Sequence, residues 1–407
     1  MNQPIAIVLG GTEPHAHLID RLKARGYYTI LIDYYESPPA KTFADEHSQI
    51  STLDREAVLS LAREKNASIV ICSCVDQANV IACSVSEKLG LPCAYNSDTA
   101  HKATNKVLMK QVLVDHGIPT ARHKIFSKND PLNTGDLDYP LIAKPVDSNS
   151  SKGIRELHSP SDLEESATYA QSFSRDGRIL IEEFIRGREI GADGLILNGK
   201  AHLITTKERR KISSDTKAQQ IYGSFWPAPI SSDEESLIAK LIQQIADAFQ
   251  LRNTPIVLQS ILKDGKASVI EFGARIGGGD NFRIIKHATG VDMIEHSIDT
   301  WLGRSTEFSF QKSPFVYADN YLYSLGGTMG RIVGLEELVE SGEIEYFSQY
   351  KVHGAKLQAE LHSNHRIGVF TLKAPSTEQL QEKIAQILAK IDILDPEGNS
   401  IMRRDIY

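Results

Sequence analysis

The stretch VLQSILKDGKASVIEFGARIGGG, residues 257–279, sets Gln259, Glu271 and Arg275 into runs that otherwise read as buried strands. A carboxylate on such a strand needs a cation beside it. A two-residue turn at Asp264-Gly265 would point Gln259 and Glu271 to opposite faces, because side chains alternate along a strand. A three-residue loop, Lys263-Asp264-Gly265 with the glycine left-handed, instead puts Gln259, Glu271, Gly273 and Arg275 on one face, which could hold Mg2+ and a triphosphate. The run Gly277-Gly278-Gly279 suits a ligand approaching the backbone closely, with Gly278 as a substrate contact. If a helix starts near Asp280, Arg283 and His287 follow at i, i+4 and face either an acidic substrate or solvent.

Upstream, Lys144 sits inside an apolar strand, Leu141-Ile-Ala-Lys144-Pro, where an ammonium must pair or find an anion. The polar loop that follows, Asp147-Ser-Asn-Ser-Ser151-Lys152-Gly153, has successive backbone N–H groups that can form an anion nest.

Taken in order, these segments resemble the ATP-grasp superfamily over roughly residues 100 to 280. Its metal strands typically carry Glu and, twelve residues on, Glu-x-Asn-x-Arg. Here those positions are Gln259, Glu271, Gly273 and Arg275, so two of the usual three metal ligands differ. The resemblance makes Lys106, after Asn105, the first phosphate lysine and Lys144 the second, with Ser148, Ser151 and Gly153 in the phosphate loop. Ile181-Glu182-Glu183-Phe184-Ile185 resembles the adenine hinge, Glu189 the ribose acceptor, and Lys207 a candidate for the γ-phosphate. Lys106 alone would read as a solvated helix residue, and Glu182 and Glu189 as strand-end charges.

These groups must be positioned by recognisable elements. Ile5–Leu9 and Tyr28–Ile32 read as buried parallel strands around a helix carrying Leu18, Ile19 and Leu22, and residues 68–72 as a further strand before a helix from Gln77 to Leu89. One helix is expected over Thr99–His116, stopped by Gly117 and Pro119. A small α+β lid follows, then a hairpin turning at Asn198-Gly199, a long helix from Ser231 and a late helix from Ser376. The fold class expected is α/β plus α+β, a three-part ATP-grasp architecture: a Rossmann-like parallel sheet (1–98), an ATP-grasp domain (99–305) with a mobile lid at about 120–187, and a C-terminal α+β domain (306–407).

The net charge of −7 argues against a nucleic-acid binder, and no apolar run is long enough to span a membrane, so the cytoplasm is the expected location. The cysteines Cys72, Cys74, Cys83 and Cys93 lack paired CxxC spacing and read as reduced core thiols. Gly10-Gly11-Thr12-Glu13-Pro14 is not the GxGxxG fingerprint, which counts against a dinucleotide-dependent oxidoreductase.

The resemblance implies ATP with Mg2+, or Mn2+ in its place. It implies a ligase that phosphorylates a carboxylate and passes the acyl group to an amine, with Lys144 and Arg275 stabilising the charge that develops. Purine-pathway enzymes acting on phosphoribosyl amines are similar too, and a non-catalytic ATP-binding regulator is a reading of another class. Expected partners are small-molecule carboxylates and amines, with a homodimer as one option for assembly.

Overall fold

The computed structural model describes residues 3–148, 152–212, 220–304, 308–361 and 363–407. Ser151 therefore lies outside the described residues. The chain opens with four strands, β1 (Ile5–Leu9), β2 (Tyr28–Ile32), β3 (Glu46–Ser48) and β4 (Ile69–Ile71), all parallel in the order β3-β2-β1-β4. Helices α1 (Glu13–Ala24), α2 (Arg55–Glu64) and α3 (Asp76–Leu89) cross between or follow them. The apolar residues of β1, β2 and β4 are almost wholly buried, as both-face coverage of a parallel sheet requires.

The helix expected over 99–116 is two helices, α4 (Ser97–Thr104) and α5 (Lys106–Asp115). Asn105 separates them: its backbone is extended, and its side chain accepts from the N–H groups of Val107 and Leu108. An asparagine that caps offers the backbone an alternative to continuing the helix, and apolar periodicity does not register the break.

A four-stranded antiparallel sheet follows, β5 (His123–Phe126), β6 (Leu141–Pro145), β7 (Arg155–Leu157) and β8 (Ile179–Glu183), ordered β5-β8-β6-β7. Helix α6 (Leu163–Ser172) packs on it through Ala167 and Ala170.

The largest element is an eight-stranded antiparallel sheet. It begins with β9 (Arg188–Leu197), β10 (Lys200–Lys211) and β11 (Ile221–Trp226). After α7 (Ser232–Ala248), whose start is fixed by a reciprocal Ser231–Glu234 capping box, come β12 (Thr254–Lys263) and β13 (Lys266–Gly273). Helices α8 (Asn281–Thr289) and α9 (Met293–Trp301) lead on to β14 (Val316–Leu322). The small strands β15 (Gly327–Thr328) and β16 (Arg331–Val333) and helix α10 (Leu335–Glu340) precede β17 (Tyr346–Gln349), β18 (Lys356–Leu357) and β19 (Gly368–Ala374); α11 (Thr377–Lys390) and β20 (Asp392–Leu394) close the chain. The order across the large sheet is β13-β12-β9-β10-β11-β14-β19-β17, so its last three strands come from the C-terminal quarter of the chain.

The β12–β13 turn has two residues, not three. Asp264 and Gly265 both have positive φ, and Lys263 pairs with Lys266. That register alone would put Gln259 and Glu271 on opposite faces. A bulge at Ile270 corrects it: Ser260 faces Val269, while Gln259 faces Glu271. The bulge thus delivers the side-by-side arrangement that sequence reasoning assigned to the loop.

Candidate active site

Two cavities meet at the bulged hairpin. The first lies between the small sheet and the large one, lined by Lys106, Lys144, Ser148, Glu182 to Ile185, Glu189, Arg209 and Lys211. The second, of about 460 Å3, is lined by Cys74 to Asp76 of the N-terminal unit, Lys207, Arg275, Gly277 to Gly279, and Tyr321, Tyr350 and Arg366 of the C-terminal part. Lys106, Arg209, Ile221, Gln259 and Glu271 line both.

In the first cavity Glu182 pairs with Lys144 across the β6–β8 register and with Lys110 of α5 at 2.8 Å; all three side chains are buried. Burial alone would raise the Glu182 carboxyl, but the two ammonium groups hold it down at about 2. Burial dominates at Lys110, which is lowered, whereas Glu182 outweighs burial at Lys144, which is raised. Two lysines on one carboxylate leave an excess positive charge beneath the cavity, suited to a polyanion. Lys110 was not singled out from the sequence, yet it lies one turn beyond Lys106 on an otherwise apolar helix face, and that spacing was its signal.

Glu189 is partly buried, beside Arg209 at 3.4 Å and Lys211 at 2.8 Å, and these cations lower its carboxyl although desolvation opposes them. Glu183 faces outward to Arg122 and accepts from the Asp138 N–H. Phe184 donates its N–H to the Pro140 carbonyl, fixing the chain as it leaves β8. Lys106, first residue of α5, donates to the Ser148 carbonyl at 2.7 Å and lies 3.9 Å from Glu271. It therefore joins the polar loop to the bulged hairpin. The Ser148 hydroxyl donates to the Phe173 carbonyl, and Gly153, with φ of +72°, sits where a Cβ would strike the Phe173 ring.

At the shared wall, Gln259 donates its amide N–H to Glu271 at 3.0 Å. Among the described residues no cluster of three or more His, Cys, Asp or Glu side chains could hold a metal. Glu271 with the Gln259 amide nonetheless fits Mg2+, a hard cation satisfied by one carboxylate once phosphate oxygens and water complete its shell.

In the second cavity Arg275 turns away from the strand to make a two-pronged ion pair with Asp76 of α3, at 2.8 and 2.6 Å. Burial opposes the guanidinium charge, but Asp76 raises the pKa overall. The pair also accounts for Gly273: a Cβ there would stand 3.0 Å from the Asp76 carboxylate and 3.2 Å from the Arg275 guanidinium. The space that an Asn side chain would need is taken by a salt bridge from the N-terminal unit. Lys207 reaches Asp193 at 3.0 Å and lies over the Trp226 ring; burial lowers its pKa in spite of Asp193. Gly278 has open space around it.

Arg283 and His287 line neither of these cavities. Arg283 points to Glu13 at 2.7 Å and His17 at 2.9 Å on α1, and the His287 ring stacks on Tyr346. The helix does start at Asn281, but of the i, i+4 pair Arg283 turns to α1 and His287 is exposed, so neither faces the cleft. Asp76, Arg209, Tyr321, Tyr350 and Arg366 are cleft residues that sequence reasoning missed. Arg209 follows Lys207 by two residues on the same strand, so alternation along β10 was its signal, whereas the other four come from segments that carry no motif and only the fold brings them in.

An ATP-grasp domain family model matches residues 137–282. The chain is 30% identical over 216 residues to a D-alanine–D-alanine ligase of Hydrogenovibrio crunogenus, covering 52% of this chain and 68% of that protein. It is 27% identical over 192 residues to a formate-dependent phosphoribosylglycinamide formyltransferase of Mycobacteroides abscessus, spanning 44% of this chain and 47% of that protein. Among solved structures, the L-amino acid ligase from Bacillus licheniformis superposes with a TM-score of 0.83 at 22% identity, covering 97% of this chain and 99% of the other. Phosphoribosylglycinamide synthetase from Anaerococcus prevotii gives 0.77 at 18% identity, covering 97% and 100%.

Proposed function

Because this chain belongs to the ATP-grasp family, we propose that it is an ATP-dependent carboxylate–amine ligase that makes an acyl phosphate and then an amide, releasing ADP and phosphate. The observation that carries this reading is the wall shared by the two cavities. A nucleotide in the first would have its terminal phosphate at Lys106, Arg209, Gln259 and Glu271, and the second opens on the same residues. Group transfer across that wall needs no covalent enzyme nucleophile.

A substrate carboxylate in the second cavity attacks the γ-phosphorus. The bond to the bridging oxygen breaks and ADP departs. Lys144 and Lys106 neutralise the phosphates through the transfer. Magnesium held at Glu271 and Gln259, when bound, offsets the charge on the terminal phosphates. The amine nitrogen then attacks the acyl carbon, phosphate leaves with the C–O bond, and the amine proton passes to phosphate or solvent. Arg275, oriented by Asp76, is placed to donate to the oxyanion of the tetrahedral intermediate. Glu182 orients the two lysines of the first cavity, while the backbone near Glu182 and Ile185 reads the adenine and Glu189 accepts from the ribose hydroxyls.

Among the described residues no helix is long and apolar enough to cross a membrane. The test is ADP release by the full chain with Mg2+ and ATP, over pairs of L-amino acids and, separately, phosphoribosyl amines with small acids. Amide formation stoichiometric with ADP supports the ligase. Tight ATP binding with no ADP from any mixture favours a nucleotide-binding regulator instead.

A further inference from the structure

The cations of the second cavity differ in one respect. Arg275 has Asp76, Lys207 has Asp193, Arg209 has Glu189 and Lys106 has Glu271 within 4 Å. Arg366, at the C-terminal wall just before β19, has no carboxylate partner among the described residues. Its Nε donates to the Tyr323 hydroxyl at 3.0 Å, one terminal nitrogen donates to the Ile221 carbonyl at 3.4 Å, and its guanidinium carbon lies over the Tyr321 ring, 3.5 Å from the centroid.

This is a held but unneutralised guanidinium. Stacking on Tyr321 occupies one face and the Tyr323 bond fixes the plane, leaving in-plane N–H groups for a planar anion. A part-buried cation lining a cavity costs free energy until an anion meets it. The neighbouring Tyr350 hydroxyl is committed to Asp280 at 2.8 Å, which anchors that side of the cavity.

Resting on the ligase reading, we propose that Arg366 is the specificity residue of the acceptor site, and that the acceptor is an amino acid whose α-carboxylate docks on its guanidinium. The charge present selects the class. Among the described residues this end of the cavity holds one unpaired guanidinium, which matches a monoanionic carboxylate, whereas a phosphate dianion would call for a second unpaired cation at the same end. The carboxylate docks at the C-terminal wall and the amine points back towards Arg275 and the acyl phosphate. Arg366 stays clear of the reacting atoms and acts through acceptor binding.

The experiment compares, for the L-amino acid that gives the fastest ADP release as acceptor, the free acid with its carboxamide. In the wild type the amide should raise the acceptor KM at least tenfold with a smaller change in kcat. In Arg366→Gln the acid should weaken to the level of the amide, and Arg366→Lys should recover part of the difference. ATP affinity, measured by calorimetry, should stay unchanged in both variants and shows that they fold. Equal use of acid and amide by the wild type overturns the proposal, as does a wild-type acid-to-amide ratio in Arg366→Gln. ADP release with a phosphoribosyl amine, and with no amino acid, overturns it while leaving the ligase reading standing. Absence of ADP with every acceptor removes the ligase reading itself.

Discussion

At the scale of single residues, the cleft is governed by which charges are already paired. Glu182 is shared by Lys110 and Lys144, so Lys144→Met leaves the carboxylate with one partner and should leave the four-stranded sheet intact. This variant and Glu271→Gln should each lower substrate-dependent ADP formation at least a hundredfold while circular dichroism is unchanged; near-wild-type turnover in either would remove that residue from the site. Gln259 brings an amide where a carboxylate would bring charge, and Gly273 brings nothing. The ion must then rely on Glu271, phosphates and water, so the half-saturating free Mg2+ should be relatively high. Gln259→Glu should lower it severalfold at saturating ATP. An unchanged or raised value would mean that this side chain does not touch the metal.

At the scale of elements, local breaks in regularity place the chemistry. The Asn105 cap starts a fresh helix at Lys106 and so aims that lysine at the polar loop. Asn105→Ala should cost about 1 kcal/mol of stability. It should also raise the Kd for ATP, because α5 would no longer begin at a fixed residue; urea melts and calorimetry check the two effects, and a loss of stability without weaker ATP binding would make the cap purely structural. The strands at Ile5, Tyr28 and Leu141, the Asn198-Gly199 hairpin and the helix starting at Ser231 were legible because each follows from spacing, a turn pair or acidic residues in a first turn. The Asn105 break and the Ile270 bulge were not. Both are single-residue events inside strong periodic patterns, and a period averages over them. Likewise the role of Asp76 as partner of Arg275 is invisible in sequence, since nothing local ties a helix start to a residue 199 positions away.

At the scale of the whole molecule, the large sheet joins the C-terminal strands to the site. Asp319 on β14 accepts from the Trp226 indole on β11, and burial pushes its carboxyl up to about 7. The folded chain therefore holds a proton that the unfolded chain, at its ordinary 3.8, has released. Stability from this group is complete below pH 3.8 and falls as pH rises towards 7. Asp319→Asn keeps an acceptor for Trp226 and removes the titration, so its stability relative to wild type should climb across that window, by on the order of a few kcal/mol. A difference that does not vary with pH would place the ionisation elsewhere. The sheet itself has a further consequence. Strand β14 hydrogen-bonds directly to β11, so the piece carrying Arg366 cannot be exchanged for that of a relative as a free-standing cassette. A chimera joined near residue 305 would have to match the register from Gly223↔Asn320 to Trp226↔Tyr317, or expose a raw sheet edge open to pairing with other chains. Changes of acceptor in this lineage are therefore expected to arise by point substitution around the cleft, with wholesale recombination of its C-terminal part selected against.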